Sequence, residues 1–226
     1  MYKDLTIFVC NYNTPILIAF LIKSIFKQVP NFNGKIVVWE NSDKEDKVFP
    51  ISSSNLIKII DNTKCTFVKK FRNDVHNASP FHCASIDFFI RNFLDTKYML
   101  LMDSDILIKK DFTDLFLEFS TYQYAVCGEY SQTDPSIPPK RFVPFFCFIN
   151  KEIMDKNNLI YFDINRIRHG GVTVNYDTGS SFSEDILTKK LIYKTIVCFD
   201  YIEHLGGGSY LDRDIPSFLN SNKEFF

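Results

Sequence analysis

The chain has 226 residues, of which 46% are hydrophobic, and its 26 lysines and arginines nearly balance 27 aspartates and glutamates. Length and composition predict one folded α/β domain with a full core, and the formal net charge of −1 argues against a nucleic-acid partner. The longest apolar runs are shorter than the roughly 18 residues of a membrane-spanning helix, so we expect a soluble chain, or at most one associated with a membrane surface.

Cysteine usage and the first residues indicate a compartment. The six cysteines are widely separated and form no C-x-x-C pair, so neither a zinc cluster nor a disulfide framework is expected. Most of them lie in apolar stretches, as small buried side chains do in a reducing compartment. The N-terminus runs directly into a strand-like segment and shows no export signal. We therefore expect a cytoplasmic location.

The first half of the sequence alternates predicted strands with predicted helices. The strands are residues 5–10, 35–39, 56–60 and a fourth segment that ends at Asp103. The helices begin at Pro15, with Asn13 or Thr14 as N-cap, and at Ser79-Pro80. This alternation predicts parallel βαβ units, in which ligands bind beyond the carboxyl ends of the strands.

The second half is less regular. The predicted helices are residues 113–119 and 183–192, and the predicted strands are residues 124–127, 142–149 and 195–199. Turn-forming residues dominate residues 165–179, and long loops in compact domains are often binding lids.

Two carboxylates follow the fourth strand. The largely apolar residues 98–102 lead to Asp103 and Asp105, one residue apart at the expected strand end. Side chains at i and i+2 of an extended chain point the same way, so the two carboxylates can converge. They would then repel unless a cation lay between them, and Mg²⁺ or Mn²⁺ fits because such ions take carboxylates together with phosphate oxygens. A solvated turn after a strand is the alternative interpretation.

Three motifs occur in order at predicted strand ends: V-C-N-Y-N-T-P at residues 9–15, V-V-W-E-N-S-D at residues 37–43 and M-D-S-D at residues 102–105. Together they resemble a GT-A glycosyltransferase, most similar to the family 2 type, over residues 5–110 and more loosely beyond. The resemblance implies a Rossmann-like, mostly parallel central sheet flanked by helices, with an irregular C-terminal acceptor region. It implies one domain over residues 1–226, with a nucleotide-sugar-binding half, 1–110, and an acceptor-binding half, 111–226.

The resemblance implies a nucleotide contact for four residues at the first two strand ends. Asn11, Tyr12 and Asn13 would border the base and ribose. Glu40 would stand where the family usually has an aspartate that contacts the base. For Tyr12 the alternative is a core aromatic, and for Glu40 it is a solvated strand end.

The D-x-D motif would hold the metal. The resemblance implies that Asp103 lies near the ribose and the metal, that Ser104 belongs to the donor-binding residues, and that Asp105 binds a Mn²⁺ or Mg²⁺ ion bridging the donor's two phosphates. The leaving group is then a nucleoside diphosphate, whose growing negative charge a divalent ion stabilises.

Two of the four histidines are candidates for the same site. His204 precedes Gly206-Gly207-Gly208-Ser209, a backbone that permits close approach to a phosphate, and it resembles the C-terminal metal or pyrophosphate contact of many GT-A enzymes. His82 lies early in the helix before the D-x-D strand, where related enzymes contact the donor; a cap-region histidine is the equal alternative. His76 and His169 are interpreted as structural.

An inverting transfer needs a carboxylate that deprotonates the acceptor hydroxyl. Glu184-Asp185 resembles the family's E-D pair, in which the aspartate is the usual base. Asp177 precedes Thr178-Gly179, which we expect to leave the backbone free to close over a sugar, so Asp177 is slightly preferred. Asp185 has the alternative of an ordinary carboxylate in a first helical turn.

The sequence thus predicts a metal-dependent, hexosyltransferase-like enzyme of polysaccharide biosynthesis. It would transfer a sugar, with inversion, from a nucleotide-sugar donor, with UDP favoured, to a glycan, lipid-linked or protein acceptor. The alternatives are a retaining GT-A enzyme and a non-catalytic nucleotide-sugar or carbohydrate-binding protein. A haloacid-dehalogenase-type phosphohydrolase is disfavoured because Ile106-Leu107 does not match its usual Gly-Thr or Gly-Val continuation. A nucleotidyltransferase is disfavoured because no glycine-rich basic loop follows the first strand.

Overall fold

The computed structural model describes residues 1–12, 14–42, 55–62, 78–131, 140–161, 178–204 and 220. The strands are β1 (Leu5–Asn11), β2 (Lys35–Glu40), β3 (Ile57–Asp61), β4 (Tyr98–Met102), β5 (Ile106–Ile108), β6 (Val126–Ser131), β7 (Arg141–Asn150), β8 (Tyr193–Thr195) and β9 (Ile202–His204). The α-helices are α1 (Pro15–Gln28), α2 (Ala78–Asn92), α3 (Thr113–Tyr122), α4 (Lys151–Lys156) and α5 (Ser180–Thr188), and 3-10 turns cover Tyr2–Asp4 and Cys198–Asp200. None of the helices within these ranges is long and apolar enough to cross a bilayer.

Seven strands form one sheet in the order β3-β2-β1-β4-β7-β6-β8, and β5 pairs with β9 in a second, two-stranded sheet. In the large sheet β7 runs antiparallel to β4 and β6, and the other four neighbouring pairs are parallel. The predicted mostly parallel α/β sheet is therefore confirmed. Because parallel strands end at the same edge, Asn11 pairs with Glu40 and Val9 with Met102, and β1 extends two residues beyond the end of β4.

Helix α1 begins where the sequence predicts. Pro15 occupies the first helical turn, where its missing N–H costs nothing and its fixed φ suits the helix. The apolar side chains of Ile18, Leu21 and Ile25 recur at helical spacing and are fully buried. Thr14 stands at the N-cap position, but its side chain makes no capping hydrogen bond.

The large sheet carries a hydrophobic core on each face, as expected of a parallel sheet covered by helices. Residues of α1 and α3 belong to one core, and residues of α2 and α5 belong to the other. Both contain several aromatic rings. In the second core Phe8 of β1 stacks on Phe89 of α2 with ring centroids 4.3 Å apart, and Phe89 also meets the ring of Trp39 edge-on.

The last predicted helix is placed differently. The sequence predicts residues 183–192, whereas α5 covers Ser180–Thr188. It begins earlier because Gly179 adopts a left-handed φ of 83° just before it. It ends earlier because Lys190 also takes a left-handed φ of 52°, a conformation that stops a helix.

The predicted strand at residues 195–199 is also wrong. The extended segment is β8, which pairs with β6 over only three residues, and a 3-10 turn follows at Cys198–Asp200. The sequence analysis also missed β5, β9 and α4. Strands of three residues are too short to show an alternating pattern, and they form here because a partner strand is present.

Replacing Phe89 with Ala should destabilise the fold through a cavity between α2 and the sheet. Phe89 is 1% exposed, and such truncations cost about 3–5 kcal/mol of the free energy of unfolding. Phe93, which stacks on the same ring but is 43% exposed, is the matched control, and its Ala variant should lose much less. Urea denaturation measures both, and equal losses would contradict this description of the core.

Candidate metal centre

The D-x-D motif lies in a turn between two buried strands. All residues of β4 and β5 are buried, which fixes both ends of the connection. The extended chain expected at Asp103 to Asp105 is not present, because Ser104 and Asp105 form a turn. The carboxylates of Asp103 and Asp105 nevertheless point at a common place, because both lie close to the same imidazole.

That imidazole belongs to His204, which the two-stranded sheet brings to the site. β9 runs antiparallel to β5, and His204 pairs directly with Ile106, the residue after Asp105. His204 Nε2 lies 3.3 Å from Asp105 Oδ1 and 4.0 Å from Asp103 Oδ2. One ligand atom from each of the three residues lies within 4.8 Å of the other two.

The three side chains suit a divalent cation. The side chain of Asp105 is only 7% exposed and that of Asp103 26%, so water screens their mutual repulsion poorly. Two carboxylates and one neutral imidazole match the ligands of hard or borderline divalent ions. Mn²⁺ accepts such a mixed oxygen and nitrogen set, whereas Mg²⁺ prefers oxygen ligands and keeps several waters.

The two carboxylates also act on the histidine. Burial by itself lowers the pKa of His204, but the hydrogen bond to Asp105 and the charges of Asp105 and Asp103 outweigh it and raise this pKa above its usual 6.5. The Phe145 ring packs against the imidazole with centroids 4.5 Å apart and holds its plane. The site therefore attracts positive charge and presents a fixed imidazole.

A second histidine lies on the other side of Asp103. His82 of α2 places its Nε2 4.0 Å from Asp103 Oδ1, so Asp103 stands between His82 and His204.

A cysteine near Asp103 was not singled out from the sequence. The pKa of Cys10 is raised well above its usual value by burial, by Asp103 and by Cys83. The raised pKa keeps Cys10 a neutral thiol beside the carboxylates.

The end of β1 is bonded to the end of β2 through Asn11 and Glu40. Asn11 is fully buried, and its Nδ2 donates to Glu40 Oε2 at 2.7 Å. Its Oδ1 accepts from the backbone N–H of Thr14 at 3.0 Å. Glu40 Oε1 accepts from the backbone N–H of Ser42 at 2.7 Å. Glu40 is therefore more than a solvated strand end, since both of its oxygens are engaged in the protein.

Tyr12 is 39% exposed, so the alternative of a core aromatic is wrong. Tyr12 directly follows the last residue of β1, at the carboxyl end of that strand. Asn13 lies outside the described residues.

Amide side chains that the sequence analysis missed extend this polar edge. Asn62, just after β3, donates through Nδ2 to Asn41 Oδ1 at 2.7 Å. Asn41 Nδ2 in turn donates to Ser85 Oγ of α2 at 3.2 Å. The signal in the sequence was an asparagine two residues after the end of each of two predicted strands.

Only one of the two candidate catalytic bases lies within the described residues. Asp177 lies outside the described residues, as do residues 205–209 after His204. Asp185 is half-buried in the second turn of α5, because this helix begins at Ser180; the alternative of a first-turn carboxylate is therefore wrong. Gly179 lies in a tight place, since an added Cβ would lie 3.1 Å from the Phe142 carbonyl oxygen and 3.2 Å from the Tyr161 hydroxyl; closure of this segment over a sugar stays a prediction.

Comparison with solved structures identifies the fold. The galactosyltransferase LgtC, in complex with donor and acceptor sugar analogs, matches with a TM-score of 0.57 and 13% identity over 85% of this chain and 73% of its own. The mannosyltransferase PcManGT from Pyrobaculum calidifontis, in complex with GDP-Man and Mn²⁺, matches with a TM-score of 0.55 and 13% identity over 92% of this chain and 58% of its own. Mouse xyloside xylosyltransferase 1 matches with a TM-score of 0.53 and 11% identity over 86% of each chain.

These similarities confirm that the chain has the GT-A fold. No protein-family model matches the sequence. No curated protein matches it at the sequence level.

Asp105→Asn should abolish stabilisation by Mn²⁺. An ion that binds only the folded chain stabilises it by about 1.4 kcal/mol for each tenfold excess over its Kd, and the amide removes one ligand charge. Glu203→Gln is the matched control, because Glu203 adjoins His204 in β9 but pairs with Lys109 at 3.5 Å. Thermal unfolding with Mn²⁺ and with a chelator measures the shift. An Asp105→Asn protein stabilised as much as the wild type would refute the ligand role.

Proposed function

We propose that this chain is a metal-dependent glycosyltransferase that moves a sugar from a nucleotide-sugar donor to a glycan, lipid-linked or protein acceptor. The observation that carries the proposal is the convergence of Asp103, Asp105 and His204 at the carboxyl edge of a GT-A sheet. Ligands of open α/β sheets bind at this edge. A group of two acids and an imidazole there suits the diphosphate of a nucleotide sugar through a divalent ion, Mn²⁺ or Mg²⁺.

The donor half of the proposal rests on residues 1–110. Tyr12, Asn13 and Glu40 would border the base and ribose, with Tyr12 exposed, while Asn11, expected from the resemblance to border them too, is fully buried and would act by orienting Glu40 through its amide nitrogen. We favour a UDP-sugar. A GDP-sugar is the second donor to test, because the mannosyltransferase with the same fold holds GDP-Man.

The chemistry follows from the charge that the donor releases. Asp103, Asp105 and His204 would hold the ion, and His82 and Ser104 would complete the donor side. A divalent ion bound there supplies positive charge opposite the diphosphate leaving group as the glycosidic bond breaks. In an inverting transfer the acceptor oxygen bonds to the anomeric carbon, and the electron pair of the broken bond leaves with the nucleoside diphosphate.

The proton of the acceptor hydroxyl would go to Asp177 or Asp185. Both belong to the half of the chain, residues 111–226, that we assign to the acceptor. The same half supplies His204, so the donor and acceptor halves would meet at the metal. A cytoplasmic location is part of the proposal, and among the described residues the free thiols of Cys10, Cys127, Cys147 and Cys198 support it.

UDP should bind tightly only when Mn²⁺ is present. The diphosphate and the two aspartates are all negative, so without a cation they repel. Isothermal calorimetry of UDP with Mn²⁺, with Mg²⁺ and with a chelator measures this dependence. Equal affinity in chelator and in metal would remove the basis of the proposal. A panel of UDP- and GDP-sugars, assayed for Mn²⁺-dependent release of the nucleoside diphosphate, separates an enzyme from a binding protein.

Asn replacement of the true base should lower turnover about 10²- to 10⁴-fold, the usual contribution of general-base catalysis, with little change in donor affinity. Asp177→Asn and Asp185→Asn are the two variants, and Glu184→Gln, exposed beside Asp185, is the control. Turnover is measured at saturating donor. Normal turnover in both Asn variants, or a product that keeps the donor's anomeric configuration by NMR, would contradict the inverting mechanism.

A further inference from the structure

The hydroxyl of Thr14 joins the start of α1 to the D-x-D turn. Thr14 is 3% exposed and occupies the N-cap position, yet its side chain does not cap the helix. Its Oγ1 lies 2.9 Å from Asn11 Oδ1 and 2.8 Å from Ser104 Oγ. Ser104 is the residue between the two aspartates and is itself buried. A buried threonine thus touches the middle of the motif without touching the metal group.

The Thr14 hydroxyl has two acceptors within hydrogen-bond distance, Asn11 Oδ1 and Ser104 Oγ. The Glu40 carboxylate can only accept, so Asn11 turns its amide nitrogen to Glu40 and its oxygen to Thr14. Thr14 Oγ1 is the donor toward both Asn11 Oδ1 and Ser104 Oγ, and because a hydroxyl has a single proton, these two acceptors share it. Contacts at hydrogen-bond distance therefore connect the D-x-D turn, through Thr14 and Asn11, to the end of β2.

Helix α1 also holds the far end of the same segment. Ser24 is fully buried, and its Oγ accepts from the backbone N–H of Ile108, the last residue of β5, at 2.9 Å. The segment from Ser104 to Ile108 contains Asp105 and the strand that pairs with His204. Hydrogen bonds from Thr14 and Ser24 therefore hold this segment at both ends. Thr14 is the one that bonds to the residue between the two carboxylates.

We propose that Thr14 is a positioning residue for the metal centre, which fixes the Asp103–Asp105 turn through Ser104 and connects it to Asn11 and Glu40. The inference rests on the proposed function, because it assigns a role toward the ion that Asp103, Asp105 and His204 would hold. Thr14 contacts neither the ion nor the donor in this role. Its effect is to keep two repelling carboxylates at ligand spacing before an ion arrives.

The size of the change in metal affinity distinguishes a positioning role from a contribution to stability alone. Removing a partner that orients metal ligands typically weakens metal affinity about 10- to 100-fold. A hydrogen bond with a purely structural role changes the folded population and leaves the Kd of the folded protein for the ion unchanged.

The chain offers a matched control at the opposite end of β1. Thr6 Oγ1 lies 2.7 Å from Thr96 Oγ1, and both residues are buried. Thr6→Val removes one buried hydroxyl pair between the same two regions of chain, as Thr14→Val does, but far from the carboxylates. Thr14→Ser keeps the hydroxyl and serves as the conservative rescue.

The experiment titrates Mn²⁺ alone into the full chain and follows free Mn²⁺ by electron paramagnetic resonance. Thr14→Val should raise the Kd about 10- to 100-fold. Thr14→Ser should stay within roughly threefold of wild type, because it keeps the same donor and acceptor, and Thr6→Val should bind like wild type. Turnover gives a second readout: Thr14→Val should need more Mn²⁺ for half-maximal rate and approach the wild-type rate at saturation.

Each other outcome overturns the inference. A folded Thr14→Val chain that binds Mn²⁺ like wild type refutes it and leaves the ligand role of Asp105 standing. A Thr6→Val chain weakened as much as Thr14→Val would mean general loosening of β1. If wild type binds no Mn²⁺, the proposed function itself loses its metal site, and the inference falls with it. Should Thr14→Val fail to fold, Ser104→Ala removes the same bond from the other side and must raise the Kd likewise.

Discussion

The repulsion between two poorly screened carboxylates is the constraint on which this site depends. Asp103 and Asp105 both approach one imidazole nitrogen, at 4.0 and 3.3 Å, in a place where the larger share of their surface is covered. Like charges so placed lower stability unless something positive lies between them. In this fold the three-residue strand β9 pairs with β5 and places His204 opposite Ile106, next to both carboxylates. Burial lowers the pKa of His204, but the negative charge of the two carboxylates outweighs it and raises that pKa.

Hydrogen bonds add to apolar packing in holding the carboxylates in place. Apolar contacts fix how a strand lies in the sheet, but they leave the rotation of a turn beyond the strand poorly determined. The hydroxyls of Thr14 and Ser104 and the amide of Asn11 supply that direction, and all three residues are buried. Buried polar networks are costly when half satisfied and stiff when complete. Because the network continues to Glu40, the conformation of the Asp103–Asp105 turn depends on the conformation of the sheet edge where we propose that the nucleotide base binds.

The first half of the fold could be predicted from the sequence because its strands and helices are long and strongly patterned. Strands β1, β2 and β4 and helix α1 have apolar runs bounded by turn residues, so their order and carboxyl ends follow from local chemistry. The strands β5 and β9, which bring His204 to Asp105, and the start of α5 lack such patterns. β5 and β9 exist only as a pair, and the start of α5 depends on Gly179, whose neighbours Phe142 and Tyr161 come from distant segments. Pairing of that kind cannot be read from a window of sequence.

The residues of the candidate site also differ in how well the sequence predicts them. Asp103 and Asp105 could be found from the sequence because two acids after an apolar strand have few structural reasons to be there. The part of Asn11 could not be predicted in full, since a buried amide looks identical in sequence to one that contacts a ligand. Its bonds to Glu40 and Thr14 show that it orients its neighbours. Thr14 left no signal beyond that of a helix cap, because its partner Ser104 lies 90 residues away.

The low identity to structures of the same fold has a physical explanation in this core. The chain contains 24 phenylalanines, and rings such as Phe8, Phe89 and Phe148 fill both faces of the sheet. A core needs apolar volume in the right pattern, so many different side chains can build it. At 13% identity the same fold can therefore form around a different set of core side chains. The pattern of apolar residues, rather than their identity, is what such a sheet requires of its interior.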